Sequence, residues 1–518
     1  MKHSAVISWI LICLLAVLSL IFIKKWKKGS DGFKKKLPPG PWKLPIIGNI
    51  HQLMMGGSLP HHALRNLAQK HGDLMHLQLG EISTIVVSSP GMAKSVLKTH
   101  DLAFSDRPSV LLGKIIAYNY SDIAFSPYGE YWRQLRKLCT LELLSAKRVR
   151  SFGSIRRDEV SKLVSSIRED AIPLFQSKEG INLTRKISSY TSSMICAAAF
   201  GRAFGRHQAE LVEILNKVLI LASGFDVSDV FPSWKILHRF ISMKPELVEL
   251  HNRIDGILET IIQQHVENPT GRNSELGQED LLDILLRIKQ SGDPDFPITN
   301  ASIKAVILDI FTGGTETSAN VVEWAMAEMI RYPNVLAKAQ SEIRELLKGK
   351  TMIEEADIQK LSYLKLVIKE TLRLHPPLPL LIPRESRAQC EIDGYIIPDR
   401  TRAIVNVWAI GRDSKYWDDP ENFKPERFDN SLVDFTGSNY ELLPFGAGRR
   451  SCPGLSFGIA NVELPLANLL FYFDWKLPNE INGVDLDMSE TSGIVAGRKS
   501  QLFLIATMYE AESIGKHI

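Results

Sequence analysis

The segment that decides the fold is residues 445–454, Phe445-Gly446-Ala447-Gly448-Arg449-Arg450-Ser451-Cys452-Pro453-Gly454. An apolar helical pattern begins directly after it, at Leu455. A metal-binding cysteine must be held as a thiolate, and backbone N–H groups, a helix N-terminus and a nearby arginine all lower a cysteine pKa. The three glycines have no Cβ, which lets the backbone approach a flat cofactor closely. The segment therefore predicts that Cys452 is a thiolate ligand.

A second unusual segment lies within a long helical pattern, residues 300–332, which Pro333 ends. At about 1.5 Å per residue such a helix would run roughly 50 Å and cross a whole domain. Its centre reads Thr312-Gly313-Gly314-Thr315-Glu316-Thr317-Ser318. Interior glycines cost about 1 kcal/mol each relative to alanine, and hydroxyls that bond back to the preceding turn bend a helix. The centre is therefore a functional site or a small-residue patch crossed by another helix.

Residues 445–454 match the pattern F-x-x-G-x-R-x-C-x-G without gaps and resemble the cysteine loop of the cytochrome P-450 superfamily. The helix centre resembles the oxygen-binding segment of that family, with Glu316 and Thr317 as its acid–alcohol pair. The resemblance extends to the scaffold formed in this family by Glu370, Arg373 and an arginine of a P-E-R-F segment, here Arg427. The string His375-Pro376-Pro377-Leu378-Pro379-Leu380 is similar to the plant microsomal branch.

The resemblance implies a mainly α fold with small β-sheets, preceded by one N-terminal transmembrane helix. Strand-like alternation at residues 74–88, 391–398 and 403–407 indicates the β elements. From about residue 92 to residue 347 the dominant period is helical.

The resemblance also implies the cofactor, haem b (iron protoporphyrin IX), with Cys452 as the iron ligand. The haem propionates need cations, and arginine suits a carboxylate well. The remaining residues expected to bind the haem are Trp132, Arg136, Arg384, Phe445 and Arg450. For Arg133 and Lys137, in the same helical segment as Trp132, a solvated or partner-facing surface is the preferred interpretation.

The implied reaction is a monooxygenation with O₂ as co-substrate. A thiolate ligand favours O–O cleavage, Glu316 and Thr317 deliver protons, and one oxygen atom enters a C–H or C=C bond. Electrons come from NADPH through a membrane-bound reductase. One alternative is a peroxide-rearranging relative that needs neither O₂ nor reductase, but such relatives typically lack the helix threonine. The other is a haem sensor without turnover, although no signalling module accompanies the domain.

The substrate pocket is expected, by the same resemblance, to be lined by residues 104–125, 305–317, 378–382 and 494–496. These segments are mostly apolar, which suits a hydrophobic small molecule. A terpenoid is the first expectation and a phenylpropanoid or other aromatic compound the second. Asp309 could anchor a cationic substrate, but a structural partner is the favoured interpretation for a lone acid on a buried helix.

Composition restricts the other possibilities. The chain has 518 residues, of which 45% are hydrophobic and 23% charged, as in a globular protein with a large core. A formal net charge of +4 gives no case for nucleic-acid binding, which needs a clustered basic face. The five cysteines are scattered and odd in number, which fits a reducing compartment rather than a disulfide framework.

The N-terminal residues 5–23 form an uncharged, mostly apolar run followed by lysines. A helix needs about 20 apolar residues to cross a bilayer, whereas a cleaved signal peptide has about 7–15 and a small-residue cleavage site. The lysines should stay cytosolic. We therefore expect a membrane anchor with a basic flank at residues 1–28, a proline-rich hinge at 29–50, and the monooxygenase domain at 51–518. This organisation predicts a single-pass protein of the endoplasmic reticulum whose catalytic domain faces the cytosol.

Deleting residues 1–28 should release the protein from the bilayer to peripheral or soluble behaviour without loss of haem. The stiff hinge separates anchor from body, so the body should fold alone. Membrane fractionation together with the haem content per polypeptide measures both effects. Loss of haem on deletion would show that the anchor is structurally integrated with the domain.

Overall fold

The computed structural model describes residues 37–54, 59–177, 180–201, 207–222, 226–267, 279–292, 296–480 and 482–509. The predicted anchor and the first part of the predicted hinge lie outside the described residues. Within the described residues, one helix, Leu455–Tyr472, is long and apolar enough to cross a membrane, and 61% of it is buried inside the protein.

Helices make up most of the described chain, as predicted. In chain order they are α1 (Ile50–Met54), α2 (Pro60–His71), α3 (Pro90–Lys94), α4 (Leu111–Ile115), α5 (Glu130–Leu138), α6 (Ala146–Ser151), α7 (Gly153–Ser177), α8 (Leu183–Phe200), α9 (Gln208–Ala222), α10 (Val227–Val230), α11 (Lys235–Ile241), α12 (Lys244–Glu267), α13 (Leu281–Ser291), α14 (Asn300–Arg331), α15 (Pro333–Leu346), α16 (Glu355–Ile358), α17 (Ser362–Leu374), α18 (Val407–Ile410) and α19 (Leu455–Tyr472). Short 3₁₀ turns include Pro425–Phe428 and Gly448–Arg450.

Three small sheets accompany the helices. The strands are β1 (Leu74–Leu79), β2 (Ile82–Val87), β3 (Ile181–Asn182), β4 (Arg384–Glu385), β5 (Cys390–Ile392), β6 (Tyr395–Ile397), β7 (Arg402–Val405), β8 (Phe473–Lys476) and β9 (Phe503–Met508). The largest sheet has the order β1-β2-β7-β4, with β2 and β7 parallel. A second sheet has the order β3-β9-β8, and β5 pairs with β6. The predicted strand-like segments are confirmed, while β3, β4, β8 and β9 add elements that the pattern did not indicate.

The long helix α14 runs through the largest core cluster, as predicted. Its N-cap is Thr299, whose hydroxyl accepts a hydrogen bond from the Ser302 N–H at 3.1 Å. Pro333 begins the next helix, because a proline is tolerated in a first helical turn but not in an interior. The helix packs against α8, α17 and α19, so its centre is held from three sides.

The expected glutamate–arginine scaffold is present and buried. Glu370 is fully buried on α17, and its two carboxylate oxygens accept hydrogen bonds from Arg373 at 2.7 and 2.8 Å. Arg427, from the 3₁₀ turn, reaches the same carboxylate at 2.9 Å. Arg373 also donates to the carbonyl oxygens of Gly411 and Pro420. The triad thereby joins α17 to the segment that leads into the cysteine loop.

Candidate active site

Cys452 sits at the end of the 3₁₀ turn, where its N–H donates to the Phe445 carbonyl oxygen at 2.9 Å. Helix α19 begins three residues later. Burial raises the pKa of the Cys452 thiol, while a hydrogen bond from the Gly454 backbone and the charge of Arg136 act in the opposite direction. The backbone donor, the helix N-terminus and the arginine expected to stabilise a thiolate therefore all surround this sulfur.

The glycines of the loop serve different purposes. Gly446 and Gly448 have φ of 66° and 69°, in the left-handed region that favours glycine. A Cβ on Gly448 would lie 2.2 Å from the Leu97 carbonyl oxygen and 2.8 Å from an Asp101 carboxylate oxygen. The prediction that this glycine allows the approach of a cofactor is therefore wrong, because a neighbouring chain segment fills the space. For Gly454 the nearest atom to such a Cβ is the Cys452 sulfur, at 3.9 Å.

The two glycines at the centre of α14 separate the two interpretations of that segment. A Cβ on Gly314 would lie 2.7 Å from Ile195 of α8, so this position is a helix crossing. A Cβ on Gly313 would meet no atom within 4 Å. The small-residue patch is therefore a packing contact on one side and an open face on the other.

Glu316 and Thr317 are both partly exposed on this helix. The Thr317 hydroxyl donates back to the Gly313 carbonyl oxygen. Burial raises the pKa of Glu316, which favours a protonated carboxyl at higher pH. Thr315 makes the same kind of back-bond, to Phe311 at 2.7 Å, but its side chain is buried. The pair expected to handle protons is thus accessible, while its neighbour is structural.

The predicted propionate residues converge beside the cysteine loop. Arg450 is buried and donates to the carbonyl oxygens of Ser105, Ile123 and Ser126 at 2.8, 3.3 and 2.6 Å. Its guanidinium carbon lies 4.1 Å from the centroid of the Trp132 ring, a cation–π contact.

Two further predicted arginines flank the same loop. Among the described residues, the Arg136 guanidinium donates to the Ser451 hydroxyl, at 3.4 Å, and to no other group. Arg384 is paired with Asp101 at 2.8 Å and donates to the Ala447 carbonyl oxygen at 2.6 Å. Arg384 thus already has a carboxylate partner outside the loop, and its hydrogen bond to Ala447 joins that ion pair to the loop. Phe445 contributes its carbonyl and packs its ring against Phe435, with centroids 5.6 Å apart.

Two residues of this site were missed by the sequence reasoning. Arg107 donates to the Ala124, Ile382 and Pro383 carbonyl oxygens at 2.8, 2.6 and 3.0 Å. Asp101 accepts hydrogen bonds from Arg384 and from both the backbone and the side chain of Arg449. Neither residue belongs to a motif with fixed spacing, so no local signal points to it.

The arginines form a cluster that needs an anion. Desolvation lowers the pKa of Arg107 well below its usual value, and the charges of Arg450, Arg384 and Arg136 lower it further. Desolvation likewise lowers the pKa of Arg450 to about 10. In the described part of the chain, Arg107, Arg136 and Arg450 make no ion pair, although several of their donors reach neutral oxygens. A group with two carboxylates, such as haem, therefore fits the charge of this site.

Comparison with known proteins agrees with this geometry. The Cytochrome P450 family model matches residues 38–504. The chain is 55% identical over 503 residues to premnaspirodiene oxygenase of Hyoscyamus muticus, covering 96% of this chain and 98% of that protein. It is also 55% identical to 5-epiaristolochene 1,3-dihydroxylase of Nicotiana tabacum (96% and 98% covered). Tabersonine 3-oxygenase of Catharanthus roseus is 54% identical, with 96% of each chain covered.

A solved structure shows the same fold. A zebrafish cytochrome P450, determined with abiraterone, superimposes with a TM-score of 0.73 at 24% identity, covering 87% of this chain and 99% of that one. The fold and the cysteine site define a haem-thiolate oxygenase. The chain belongs to the cytochrome P450 family and is a monooxygenase. Membership implies a haem iron cofactor and O₂ as co-substrate.

Cys452→Ser should abolish the thiolate signature in the spectrum of the carbon-monoxide-bound ferrous protein. A serine hydroxyl cannot supply the soft, electron-rich ligand that the thiolate provides. Cys390→Ser is the matched control, since Cys390 is a half-buried free cysteine on β5 and should keep the signature. If Cys452→Ser retained the signature, the assignment of the iron ligand would be wrong.

Proposed function

We propose that the chain is an NADPH-dependent, membrane-anchored monooxygenase that oxidises an uncharged terpenoid. The observation that carries the proposal is that the four apolar segments expected to line the pocket are joined to one another beside the cysteine loop. Arg107 links residues 104–125 to residues 378–382 through the Ile382 carbonyl. The Ala496 N–H donates at 2.9 Å to the carbonyl oxygen of Pro377, the residue directly before residues 378–382. Asp309 of residues 305–317 accepts from the Ile123 N–H at 2.7 Å.

The lining of this pocket favours a hydrophobic ligand. Residues from three of the segments are partly buried and apolar, which leaves part of each side chain accessible: Leu111, Leu112, Ile115, Leu380, Leu381, Ile382 and Val495. Two of the relatives are named for the terpenoids premnaspirodiene and 5-epiaristolochene, and a third for the alkaloid tabersonine. The comparisons therefore support a specialised metabolite as the substrate. The choice between a terpenoid and an alkaloid depends on the charge of the pocket.

The charge of the pocket favours the terpenoid over a protonated alkaloid. Asp309, the acid that could have anchored a cation, accepts hydrogen bonds from the N–H groups of Ile123 and Ala124 at 2.7 and 3.2 Å. Burial and the charge of Asp122 raise the pKa of Asp309 well above its usual value, which favours the neutral carboxyl. The favoured structural interpretation of Asp309 is thus supported by its contacts. A neutral, occupied carboxyl offers little to an ammonium group.

The haem would be held by the Cys452 sulfur and by the cations around its carboxylates, Arg107, Arg136 and Arg450, with Trp132 and Arg384 supporting the loop. When bound, the haem supplies the oxygen chemistry. The contribution of the chain is to hold protons: Thr317 at its Oγ1 atom, on the open face of α14, and Glu316 at its carboxyl, whose raised pKa suits proton donation.

Electron delivery is proposed to come from NADPH through a membrane-bound reductase. Arg133 and Lys137 are exposed on α5, the helix that also carries Trp132 and Arg136, and the exposed Arg449 lies in the cysteine loop. Arg449 is three residues from Cys452 in the chain, and α5 is the helix whose Arg136 acts on the Cys452 sulfur. An acidic docking face would be attracted to them.

Membrane attachment is proposed to involve the body as well as the predicted anchor. Gly80 N–H donates to the Ile47 carbonyl oxygen at 3.3 Å, and Glu81 N–H donates to the Val230 carbonyl oxygen at 2.8 Å. This one turn thus joins the hinge to the segment containing α10 and α11. Large apolar side chains are exposed on both partners: Ile46, Ile47, Trp234, Ile236, Phe240 and Ile241. Such a patch directly after a predicted anchor fits contact with lipid at the endoplasmic reticulum surface.

The substrate class is tested with a panel of small molecules and the haem absorption spectrum. Uncharged terpene scaffolds should shift the spectrum, while protonated alkaloid amines of similar size should not, because the pocket is apolar and Asp309 is occupied. Phenylpropanoid-type aromatics complete the panel as the second substrate class. Product analysis with NADPH and reductase then identifies turnover. A shift produced by protonated amines that disappears in Asp309→Asn would contradict the proposal and favour an alkaloid.

Thr317→Ala should leave substrate binding and NADPH oxidation largely intact while product per NADPH falls and hydrogen peroxide rises. General acid catalysis contributes typically about 10²–10⁴-fold, so loss of the proton held at Thr317 should divert electrons from product to peroxide. Thr315→Ala is a matched control, because Thr315 makes the same back-bond but is buried. An unchanged ratio in Thr317→Ala, or an equal change in both variants, would leave Thr317 as a structural residue. Rearrangement of a peroxide by the unmodified protein without NADPH would favour a peroxide-rearranging enzyme. Haem binding without any turnover would favour a haem sensor.

A further inference from the structure

We propose that Asp309 and Asp122 form a carboxyl pair that shares one proton and fixes residues 122–126, so that Asp309 acts as a positioning residue for Arg107 and Arg450. The inference rests on the proposed function, since it assigns these arginines to the carboxylates of the haem. Within the described residues Asp309 forms no ion pair or hydrogen bond with either arginine, so its effect passes through the backbone of this segment.

The N–H groups of the segment point to the acids. The Asp309 Oδ2 atom accepts from Ile123 and Ala124 at 2.7 and 3.2 Å. The Asp122 Oδ2 atom accepts from Phe125 at 3.0 Å. Three successive peptide N–H groups are thus fixed by two carboxyl groups, one on α14 and one at the start of the segment.

The carbonyl groups of the same segment point to the cations. The Ile123 oxygen accepts from Trp132 Nε1 at 3.0 Å and from Arg450 at 3.3 Å. The Ala124 oxygen accepts from Arg107 at 2.8 Å, and the Ser126 oxygen from Arg450 at 2.6 Å. The peptide dipoles therefore run from the acid pair to the arginines, and moving the segment would move the acceptors of both guanidinium groups.

The pair requires a shared proton. Asp122 is fully buried, and its Oδ1 atom has no hydrogen-bond partner in the described part of the chain unless Asp309 carries a proton. Burial and the charge of Asp122 raise the pKa of Asp309 well above its usual value, and the hydrogen bonds from the Ile123 and Ala124 N–H groups act in the opposite direction. Burial raises the pKa of Asp122 to about 6. Two neighbouring carboxyl groups, of which Asp122 is fully buried and Asp309 partly buried, do not readily ionise together, so one proton is shared between them near neutral pH.

Other titratable and charged groups near the pair are Tyr120, Tyr131, Cys139, Arg107 and Arg450. Burial raises the pKa of Tyr120, Tyr131 and Cys139, so these groups stay neutral near neutral pH. Because the folded-state pKa of each aspartate is raised, its stabilising contribution is present at low pH and is lost as the pH rises through the folded value. The attachment of the segment should therefore weaken on the alkaline side.

The test compares variants of the full-length, haem-loaded protein in detergent by the rate of haem transfer to excess apomyoglobin between about pH 6 and pH 9. Asp309→Asn places an amide where the protonated acid stands, able to donate to Asp122 and to accept from the segment. At low pH its rate of haem transfer should equal that of the unmodified protein. At high pH the rate should rise for the unmodified protein but not for Asp309→Asn. Asp309→Leu has similar size and no hydrogen bonds, and its transfer should be about tenfold faster or more at every pH.

Leu64→Ala is the control for general loss of stability, because Leu64 is buried in a separate core cluster with Leu77 and Val86. It should lower the melting temperature while keeping the pH profile of haem transfer unchanged. Equal rates and equal profiles for Asp309→Asn and the unmodified protein would overturn the shared proton, and slow transfer in Asp309→Leu would overturn the positioning role. If Asp309→Leu does not accumulate, the pH profile of haem transfer from Asp309→Asn still tests the shared proton. Failure of the unmodified protein to bind haem would instead contradict the proposed function.

Discussion

Buried positive charge beside Cys452 is the constraint on which the rest of this site depends. Taking a guanidinium out of water is costly unless it is paired and hydrogen-bonded. The chain supplies the hydrogen bonds, through carbonyl oxygens around Arg107 and Arg450, but neither guanidinium forms an ion pair within the described residues. An anionic cofactor provides the missing charge, so its binding must also stabilise the fold. The cysteine loop is also held by Arg384, which pairs with Asp101 and donates to the Ala447 carbonyl oxygen, contacts that do not involve that anion.

Helix α14 combines two demands that a regular helix could not meet together. Gly314 allows Ile195 of α8 to approach, which fixes the helix in the core. One residue earlier, about 100° around the helix, Gly313 faces open space, and its carbonyl oxygen accepts the hydrogen bond from the Thr317 hydroxyl. Each interior glycine lowers helix stability, and one is required for packing while the other leaves room beside the proton-handling pair. The segment therefore serves both as a helix crossing, at Gly314, and as the position of the Thr317 hydroxyl, at Gly313.

Sequence reasoning predicted the parts of this protein that are encoded locally. The cysteine loop, the long helix and the first strands each have a fixed spacing or a clear period, whereas the buried scaffold of Glu370, Arg373 and Arg427 was predicted from the resemblance to the family. It did not find Arg107 or Asp101, whose partners are far away in the chain, and it misassigned Gly448, whose constraint comes from Leu97. The short strands β3 and β4 were not predicted, because a strand of two residues is too short to show an alternating pattern. Contacts between distant segments decide these features, and a pattern within one segment cannot show them.

The arrangement of charge also explains how a pocket with several ionisable groups can suit an apolar substrate. The arginines are directed to one edge, where carbonyl oxygens receive them. The acids Asp122 and Asp309 face peptide N–H groups and each other, and one shared proton reduces their combined charge. Residues 122–126 separate the two sets, with N–H groups on one side and carbonyl groups on the other. Because Arg107, Arg450 and the two acids are turned toward the protein backbone, the predicted pocket walls are left mainly to leucine, isoleucine and valine side chains. Selection among substrates would then depend on shape and apolar contact.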